Sequence, residues 1–459
     1  MTKATITAGA FAAVLALFAL AASDRAPERH VDPGAADPPV TTHSAVEPHE
    51  GLIHGRVTTV DGAVYTGRLR FGQAHARDEE ALWGNYFNGY KEENPWVAHA
   101  PLERLPKERL SVEILQIEIA VGMPYDLGRP FMARFGDIAR IDARGRDLRV
   151  TLRSGTVFEL DRYAADDFAD GVRVWDDRHG VVDLHERRIR TIEFLPTARP
   201  GAGPAPLYGT VRTRQGDFTG LVQWDREACV GSDELNGRTA DGEVSLRFDA
   251  MRSITRRTGE SALVRLLDGR EVVLSDTRRD GRGNRGMYVD DPRYGRVLVS
   301  WDVFERIDFG TGGAGPAYSD FPPGSSLTGS VTTRSGHRLA GRLVYDLDES
   351  ETTETLDAPW QGVDYTIPFG LIASIEPLGL EPGGTPGARV TLHGGDELLL
   401  ERAGDLGASN AGMLIFSAGL ERPAYVPWTD VERVHFDRPP VMYPTSGRPF
   451  DEAPGSRLF

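Results

Sequence analysis

The same short phrase occurs three times in this chain, and this repetition constrains the fold more than any other feature of the sequence. The copies occupy 55–71, 209–224 and 329–345. Each begins with a glycine and an alternating apolar and polar stretch, reaches a turn glycine (Gly62, Gly216 or Gly336), and continues into a second alternating stretch. Alternation predicts half-buried strands, and a glycine between two such strands favours a tight hairpin turn. Each copy is therefore predicted to begin with a β-hairpin.

A second pattern, aromatic-x-x-apolar-x-x-apolar, follows each hairpin. It occurs at 135–141, 248–254 and 369–375, and it returns late in the second and third copies at 301–307 and 428–434. A three-residue step between alternating stretches is typical of a single 3₁₀ turn between two strands. Each copy is thus predicted to contain two similar halves, and each half ends in strand, 3₁₀ turn, strand.

This order of elements resembles small SH3-like or Sm-like barrels, and the tandem arrangement is similar to that of β-repeat proteins that bacteria export. The resemblance implies an all-β protein of three tandem modules, each made of two small barrel halves. A barrel of about 50 residues buries little apolar surface on its own, so we expect the two halves to pack together. One larger barrel or sandwich per module is the structural alternative.

Length and composition agree with this division. A chain of 459 residues exceeds what one core usually serves, at about 150 residues per domain. The predicted modules are 51–195, with an insertion at 90–132, then 207–309 and 327–436. Pro/Gly-rich linkers are expected at 196–206 and 310–326, and disordered segments at 24–50 and 437–459.

The N-terminal sequence predicts export. Lys3 precedes a strongly apolar stretch, 8–22, and small residues follow up to Ser23. A charged start, an apolar run and small residues are typical of a signal peptide, here 1–23. We therefore expect a periplasmic or extracellular protein that does not insert into the membrane after cleavage, with an uncleaved N-terminal anchor as the alternative. Cys229 is the single cysteine, which excludes an intramolecular disulfide.

The charge of the chain disfavours nucleic acid as a partner. The formal net charge is −16, and lysine occurs only at positions 3, 91 and 107. An acidic protein repels phosphate backbones, so no nucleic-acid binding is expected. RNA binding by analogy with Sm-like barrels is kept as an alternative, although export and acidity both count against it.

Three motifs of catalytic or ligand-binding sites are better explained as loops. The G-x-G-x-x-G string at 281–286 lies between two predicted strands, whereas a dinucleotide site needs it between a strand and a helix. The segment 393–396 mimics an oxyanion-hole sequence but has no nucleophile elbow to accompany it. The acidic and histidine residues at 175–186 follow a strand, turn, strand pattern. The sequence therefore predicts no catalytic set, no cofactor and no metal site.

Aromatic residues at the end of the second strand of each copy are the candidate binding residues. Each precedes a loop that is acidic in the second and third copies, and small barrels often bind ligands near such loops. The apolar alternation explains the same aromatics equally well as core residues. The candidates are Phe71, Trp224, Asp225, Tyr345 and Asp346.

Repetition without a catalytic set suits a protein that presents binding surface. We therefore expect a non-catalytic binding or scaffold protein of the bacterial cell envelope, not an enzyme, with an envelope protein or glycan as partner. The alternative is an envelope hydrolase that uses carboxylates of the insertion. These carboxylates are Glu92, Glu93, Glu103, Glu113 and Glu118. A cleft near 90–132 holding facing carboxylates with raised pKa values would distinguish the hydrolase.

Overall fold

Strands dominate the chain. The computed structural model describes residues 50–72, 80–101, 109–114, 117–122, 129–176, 178–197, 204–275, 284–311, 315–378 and 387–439. The described part contains one short α-helix, α1 (Asp166–Ala169), so the predicted all-β class is confirmed. No helix in these residues is long and apolar enough to cross a membrane. The predicted signal peptide at 1–23 and nearly all of 24–50 and 437–459 lie outside the described residues.

The first copy forms an eight-stranded sheet and two separate two-stranded sheets. In chain order its strands are β1 (His54–Thr59), β2 (Val64–Phe71), β3 (Tyr86–Tyr90), β4 (Arg109–Ile114), β5 (Ile117–Gly122), β6 (Pro130–Arg134), β7 (Ile138–Arg144), β8 (Asp147–Leu152), β9 (Val157–Asp161), β10 (Val172–Asp176), β11 (Gly180–Leu184) and β12 (Ile189–Phe194). The sheet order is β11-β10-β2-β1-β12-β7-β8-β9, and β3 pairs with β6 and β4 with β5. The closing strand β12 pairs with both β1 and β7, so strands from both predicted halves meet in one sheet.

The second and third copies share a larger set of strands. The second copy contributes β13 (Tyr208–Thr213), β14 (Gly216–Trp224), β15 (Glu234–Thr239), β16 (Gly242–Arg247), β17 (Met251–Arg256), β18 (Ser261–Leu266), β19 (Glu271–Ser275), β20 (Met287–Asp291), β21 (Gly295–Val299) and β22 (Phe304–Phe309). The third contributes β23 (Thr328–Thr333), β24 (Arg338–Val344), β25 (Thr355–Trp360), β26 (Val363–Pro368), β27 (Ile372–Pro377), β28 (Gly387–Leu392), β29 (Glu397–Glu401), β30 (Met413–Phe416), β31 (Ala424–Val426) and β32 (Val431–Phe436). Because β21 pairs with β26, a hairpin of the third copy extends the sheet of the second to twelve strands.

The same connectivity occurs three times. The first sheet runs β9-β8-β7-β12-β1-β2-β10-β11, the central part of the second runs β19-β18-β17-β22-β13-β14-β20-β21, and the third runs β29-β28-β27-β32-β23-β24-β30-β31. In each case the first and last strands of the copy are central neighbours. Such a closing pair brings the two ends of each copy together.

Short 3₁₀ turns occupy the positions that the aromatic pattern predicts. Phe135–Asp137, Phe248–Ala250 and Phe369–Leu371 each join two strands, and Trp428–Asp430 does so late in the third copy. Residues 301–303 form a hydrogen-bonded turn instead. The described part also has 3₁₀ turns at Val97–His99, Arg162–Ala164, Glu186–Arg188, Tyr318–Asp320 and Gly404–Leu406. Phe135, Phe248, Phe369 and Trp428, which begin the turns of the aromatic pattern, are buried, so these turns face the core.

The segment between the second and third copies packs onto the first. Tyr318 and Phe321 belong to the core of the first sheet, and the Tyr318 hydroxyl donates to the carbonyl of Ile138 at 2.9 Å. Arg153 donates to the main-chain carbonyls of Tyr318 and Phe321. The described part of the predicted linker at 310–326 therefore makes specific contacts with a distant part of the chain.

The first and second copies also contact each other directly. Arg70 on β2 donates two hydrogen bonds to the carboxylate of Asp233. Asn85 donates to Gln223 on β14 at 3.4 Å, and the buried thiol of Cys229 lies in the small apolar cluster nearby. Each copy thus uses its second strand and the turn before its third strand to contact the other copy.

Candidate functional site

The three predicted aromatic residues belong to the core. Phe71, Trp224 and Tyr345 are at most 2% exposed. Each contacts the aromatic residue of the 3₁₀ turn in its own copy. The ring centroids are 4.5 Å apart for Phe71 and Phe135, 6.2 Å for Trp224 and Phe248, and 5.2 Å for Tyr345 and Phe369. These side chains therefore pack in the interior of each copy, and Trp224 also lines a cavity there, together with Asp225.

The two predicted aspartates begin tight turns. Asp225 and Asp346 have φ of 53° and 49°, a left-handed conformation that aspartate tolerates better than most residues. The carboxylate of Asp225 accepts from the backbone N–H of Arg285 at 2.7 Å, and that of Asp346 accepts from the backbone N–H of Ala411. In both copies the aspartate therefore connects its turn to the loop that precedes the eighth strand of the copy.

The acidic loops line two different cavities. The loop after Trp224 borders a cavity of about 300 Å³ that Arg70 and Asp233 also line. The loop after Tyr345 borders a second cavity, of about 330 Å³, which shares no lining residue with the first. The loop after Phe71, residues 73–79, lies outside the described residues. Of the five predicted binding residues, Asp346 alone lines the second cavity.

This second cavity, which we call the acidic cavity, lies between the first and third copies. One wall comes from β3, β6 and the residues beside them, and the other comes from the β24–β25 connection, β25 and the 3₁₀ turn Gly404–Leu406. The first wall contains Asn88, Gly89, Lys91, Arg129, Pro130, Phe131 and Met132, and the second contains Asp346, Asp348, Glu349, Glu354, Thr355, Asp357 and Asp405. The cavity thus joins residues that are distant in the sequence.

Lys91 neutralises part of the negative charge of the acidic cavity. Its ammonium lies 2.9 Å from an oxygen of Asp348 and 3.0 Å from an oxygen of Glu354. Burial alone would lower the pKa of Lys91, but the carboxylates of Glu354 and Asp348 outweigh burial and raise this pKa. Lys91 is therefore a permanently charged ammonium and is not suited to act as a base or to form a Schiff base.

The remaining acidic side chains are less well compensated. Arg129 approaches Asp346 at 3.8 Å, yet burial raises the pKa of Asp346 to about 7. Burial also raises the pKa of Asp357 to about 6, although Thr366 donates to its carboxylate at 2.5 Å. These are carboxyl groups whose protonation changes near neutral pH.

Glu349 and Asp405 complete the acidic cluster. Burial, and then repulsion by neighbouring acidic groups, raises the pKa of both carboxyls well above the ordinary value. The Oδ2 of Asp405 accepts from the backbone N–H of Asp357 at 2.6 Å. The Oε2 of Glu349 is buried and has no hydrogen-bond partner among the described residues. A buried carboxylate oxygen without a partner is unfavourable until it acquires a proton or a cation.

Of the carboxylates proposed for the hydrolase alternative, those with described side chains do not line this cavity. Glu92 and Glu93 are exposed, and the side chains of Glu103, Glu113 and Glu118 lie outside the described part. The titratable groups come instead from 346–357 and from Asp405 in the third copy. The density of acidic residues at 346–357 was a sequence signal for this cluster, but nothing in the sequence connected it with Lys91.

The other candidate ligands are engaged elsewhere. Asp183 pairs with Arg173 at 2.7 Å, and His179 contacts Asp176 at 2.8 Å. Among the described residues, no group of three or more histidine, cysteine or acidic side chains is placed to hold a metal ion. Comparison of the chain with protein-family models, curated proteins and solved structures gives no match. Function is therefore inferred from the acidic cavity and its surroundings.

Proposed function

We propose that this protein is an exported, non-catalytic binding protein of the bacterial cell envelope, with the acidic cavity as its ligand site. The observation that carries this proposal is the composition of the cavity. Six carboxylates and two basic side chains line about 330 Å³ between two copies of the repeated fold. Concave sites of this size with a few convergent polar groups are typical of small-molecule binding.

The repeated connectivity supports a role for the three copies as a rigid frame. We propose that each copy is one module in which both halves share a sheet. The pairing of β12 with β1 and β7, repeated by β22 and β32, favours one domain per module over two separate barrels. The acidic cavity needs the first and third modules together, so its geometry depends on the complete assembly.

The ion pairs of the cavity favour binding over catalysis. Lys91 is fixed by two carboxylates, and Asp346 is held by the backbone of Ala411. A hydrolase is the second candidate, because Asp346 and Asp357 have raised pKa values and a protonated carboxyl can serve as a general acid. An envelope glycan is the corresponding substrate class.

The proposal is tested with a triple variant of the full chain, Asp346→Asn, Glu349→Gln and Asp357→Asn. A matched triple of exposed residues, Glu243→Gln, Asp268→Asn and Asp302→Asn, is the control. Thermal shift against panels of cationic, neutral and anionic small molecules and envelope glycans should give stabilising ligands that the cavity triple loses and the control triple retains. Equal stabilisation of both triples would contradict the site, and turnover of a glycan that the cavity triple abolishes would establish the hydrolase.

A further inference from the structure

The acidic cavity is lined by more acidic than basic side chains. Lys91 and Arg129 pair with Asp348, Glu354 and Asp346. That leaves Glu349, Asp357 and Asp405, which have no ion-pair partner among the described residues. Asp405 is repelled by Asp357, and Glu349 by Asp405, so ionisation of one of these groups disfavours ionisation of its neighbour. A cationic ligand would relieve this repulsion.

Glu349 supplies an unsatisfied acceptor in the cavity wall. Its Oε2 is buried without a hydrogen-bond partner in the described part of the chain. Native proteins satisfy nearly all buried polar atoms, so such an atom in a cavity indicates a missing donor. A cationic donor would satisfy this oxygen and also offset the charge of the neighbouring carboxylates.

The required cation is extended and organic. Carboxylates that surround a single metal ion converge on one point, and the described residues contain no such group. Glu349, Asp357 and Asp405 instead line a cavity of about 330 Å³, which is enough for a small organic molecule. Because three carboxyl groups there have no ion-pair partner among the described residues, the cavity has room and acceptors for more than one positive charge.

The contacts of Lys91 show how this cavity binds an ammonium group. The ammonium of Lys91 bridges two carboxylates at 2.9 and 3.0 Å and lies 5.1 Å from the ring of Phe158. A ligand ammonium beside Glu349 would repeat this bridging geometry. Pro130, Phe131 and Met132 supply an apolar border along which a methylene chain can lie.

We propose that the acidic cavity binds a linear diamine or polyamine, whose ammonium groups pair with Glu349, Asp405 and Asp357 while its methylene chain lies along Phe131 and Met132. This assignment rests on the proposed binding function and names its ligand class. The recognition combines charge-assisted hydrogen bonds with spacing between two cations.

Isothermal titration calorimetry of the full chain at pH 8 tests the assignment with 1,4-diaminobutane, spermidine, 1-aminobutane and calcium chloride as probes. We expect the diamine and spermidine to bind, and 1-aminobutane to bind at least about tenfold more weakly because it makes one charged contact fewer. Glu349→Gln and Asp357→Asn should each weaken diamine binding by about tenfold or more, whereas the exposed control Asp302→Asn should bind like the parent. Circular dichroism verifies that each variant is folded.

Three results would contradict the assignment of a diamine as the ligand. These are equal affinity for 1-aminobutane and 1,4-diaminobutane, tighter binding of calcium, or unchanged diamine affinity in Glu349→Gln and Asp357→Asn. If diamines fail but another ligand class stabilises the parent and not the cavity triple, the ligand class is wrong while the binding site stands. If no ligand class distinguishes the cavity triple from the control triple, the proposed function is contradicted as well.

Discussion

Lys91 and Asp348, which are 257 positions apart in the chain, form a buried ion pair of 2.9 Å. The two side chains are 7% and 8% exposed, so water screens this pair very little. It connects the end of β3 in the first copy to the β24–β25 connection in the third. The pair therefore belongs both to the acidic cavity and to the contact between the copies.

Replacement of Lys91 by methionine should destabilise the protein by about 3 to 5 kcal/mol, because it leaves Asp348 and Glu354 buried without their cation. Urea unfolding at pH 8 measures this loss. The matched control is Arg238→Met, whose exposed ion pair with Glu243 should contribute about 1 kcal/mol or less. Equal effects of the two substitutions would show that Lys91 is not a buried structural cation.

The stability of the chain should fall as pH rises from about 4 to about 7. An unfolded aspartate ionises near pH 3.9, whereas Asp357 and Asp346 in the folded protein ionise at about 6 and about 7. The folded state thus binds more protons than the unfolded state in this window, and stability decreases with pH. Urea midpoints from pH 4 to 8 measure the slope, which the double variant Asp346→Asn and Asp357→Asn should reduce. An unchanged slope in that variant would contradict the assignment.

The glycine in the second strand of each copy allows a close approach of the neighbouring strand. A Cβ atom on Gly220 would lie 1.9 Å from the carbonyl oxygen of Asp290 on β20, a severe clash with backbone. Gly220→Ala should therefore cost about 3 kcal/mol by overpacking. Gly259→Ala, where a Cβ atom meets nothing within 4 Å, should be close to neutral. Thermal unfolding of both variants compares them directly, and equal melting temperatures would refute the strand pairing of β14 and β20.

Phe321 should behave as a core residue of the first copy although it lies in the segment predicted as a linker. Its ring is 1% exposed and covers Gly136, and the Arg134 guanidinium lies 5.0 Å from it. Phe321→Ala should cost about 3 to 5 kcal/mol, whereas the exposed control Tyr163→Ala should change stability by about 0.5 kcal/mol or less. Brief chymotrypsin digestion of the parent should also spare the peptide bond between Tyr318 and Ser319, because Tyr318 is buried in the same core. Early cleavage there would indicate a free linker.

Local patterns in the sequence predicted the first hairpin of each copy and most of the 3₁₀ turns, although residues 301–303 form a hydrogen-bonded turn instead. The alternation at 55–71, 209–224 and 329–345 predicts hairpins, and the three-residue step predicts the 3₁₀ turns at Phe135, Phe248 and Phe369. Both patterns report which face of a short element is apolar, and burial of that face is a local requirement. The same alternation explains why Phe71 and Tyr345 are core residues.

The sequence by itself determined the all-β class, the threefold repetition and the aromatic core positions, because these depend on residues close together in the chain. Only the tertiary structure decided that Lys91 meets Asp348, that Phe321 packs against the first copy, and that β21 pairs with β26. Contacts between distant segments depend on how whole sheets are oriented, and no periodicity in the sequence encodes that orientation. The acidic cavity consists of such contacts, since Lys91 and the carboxylates around it come from segments more than 250 positions apart in the chain.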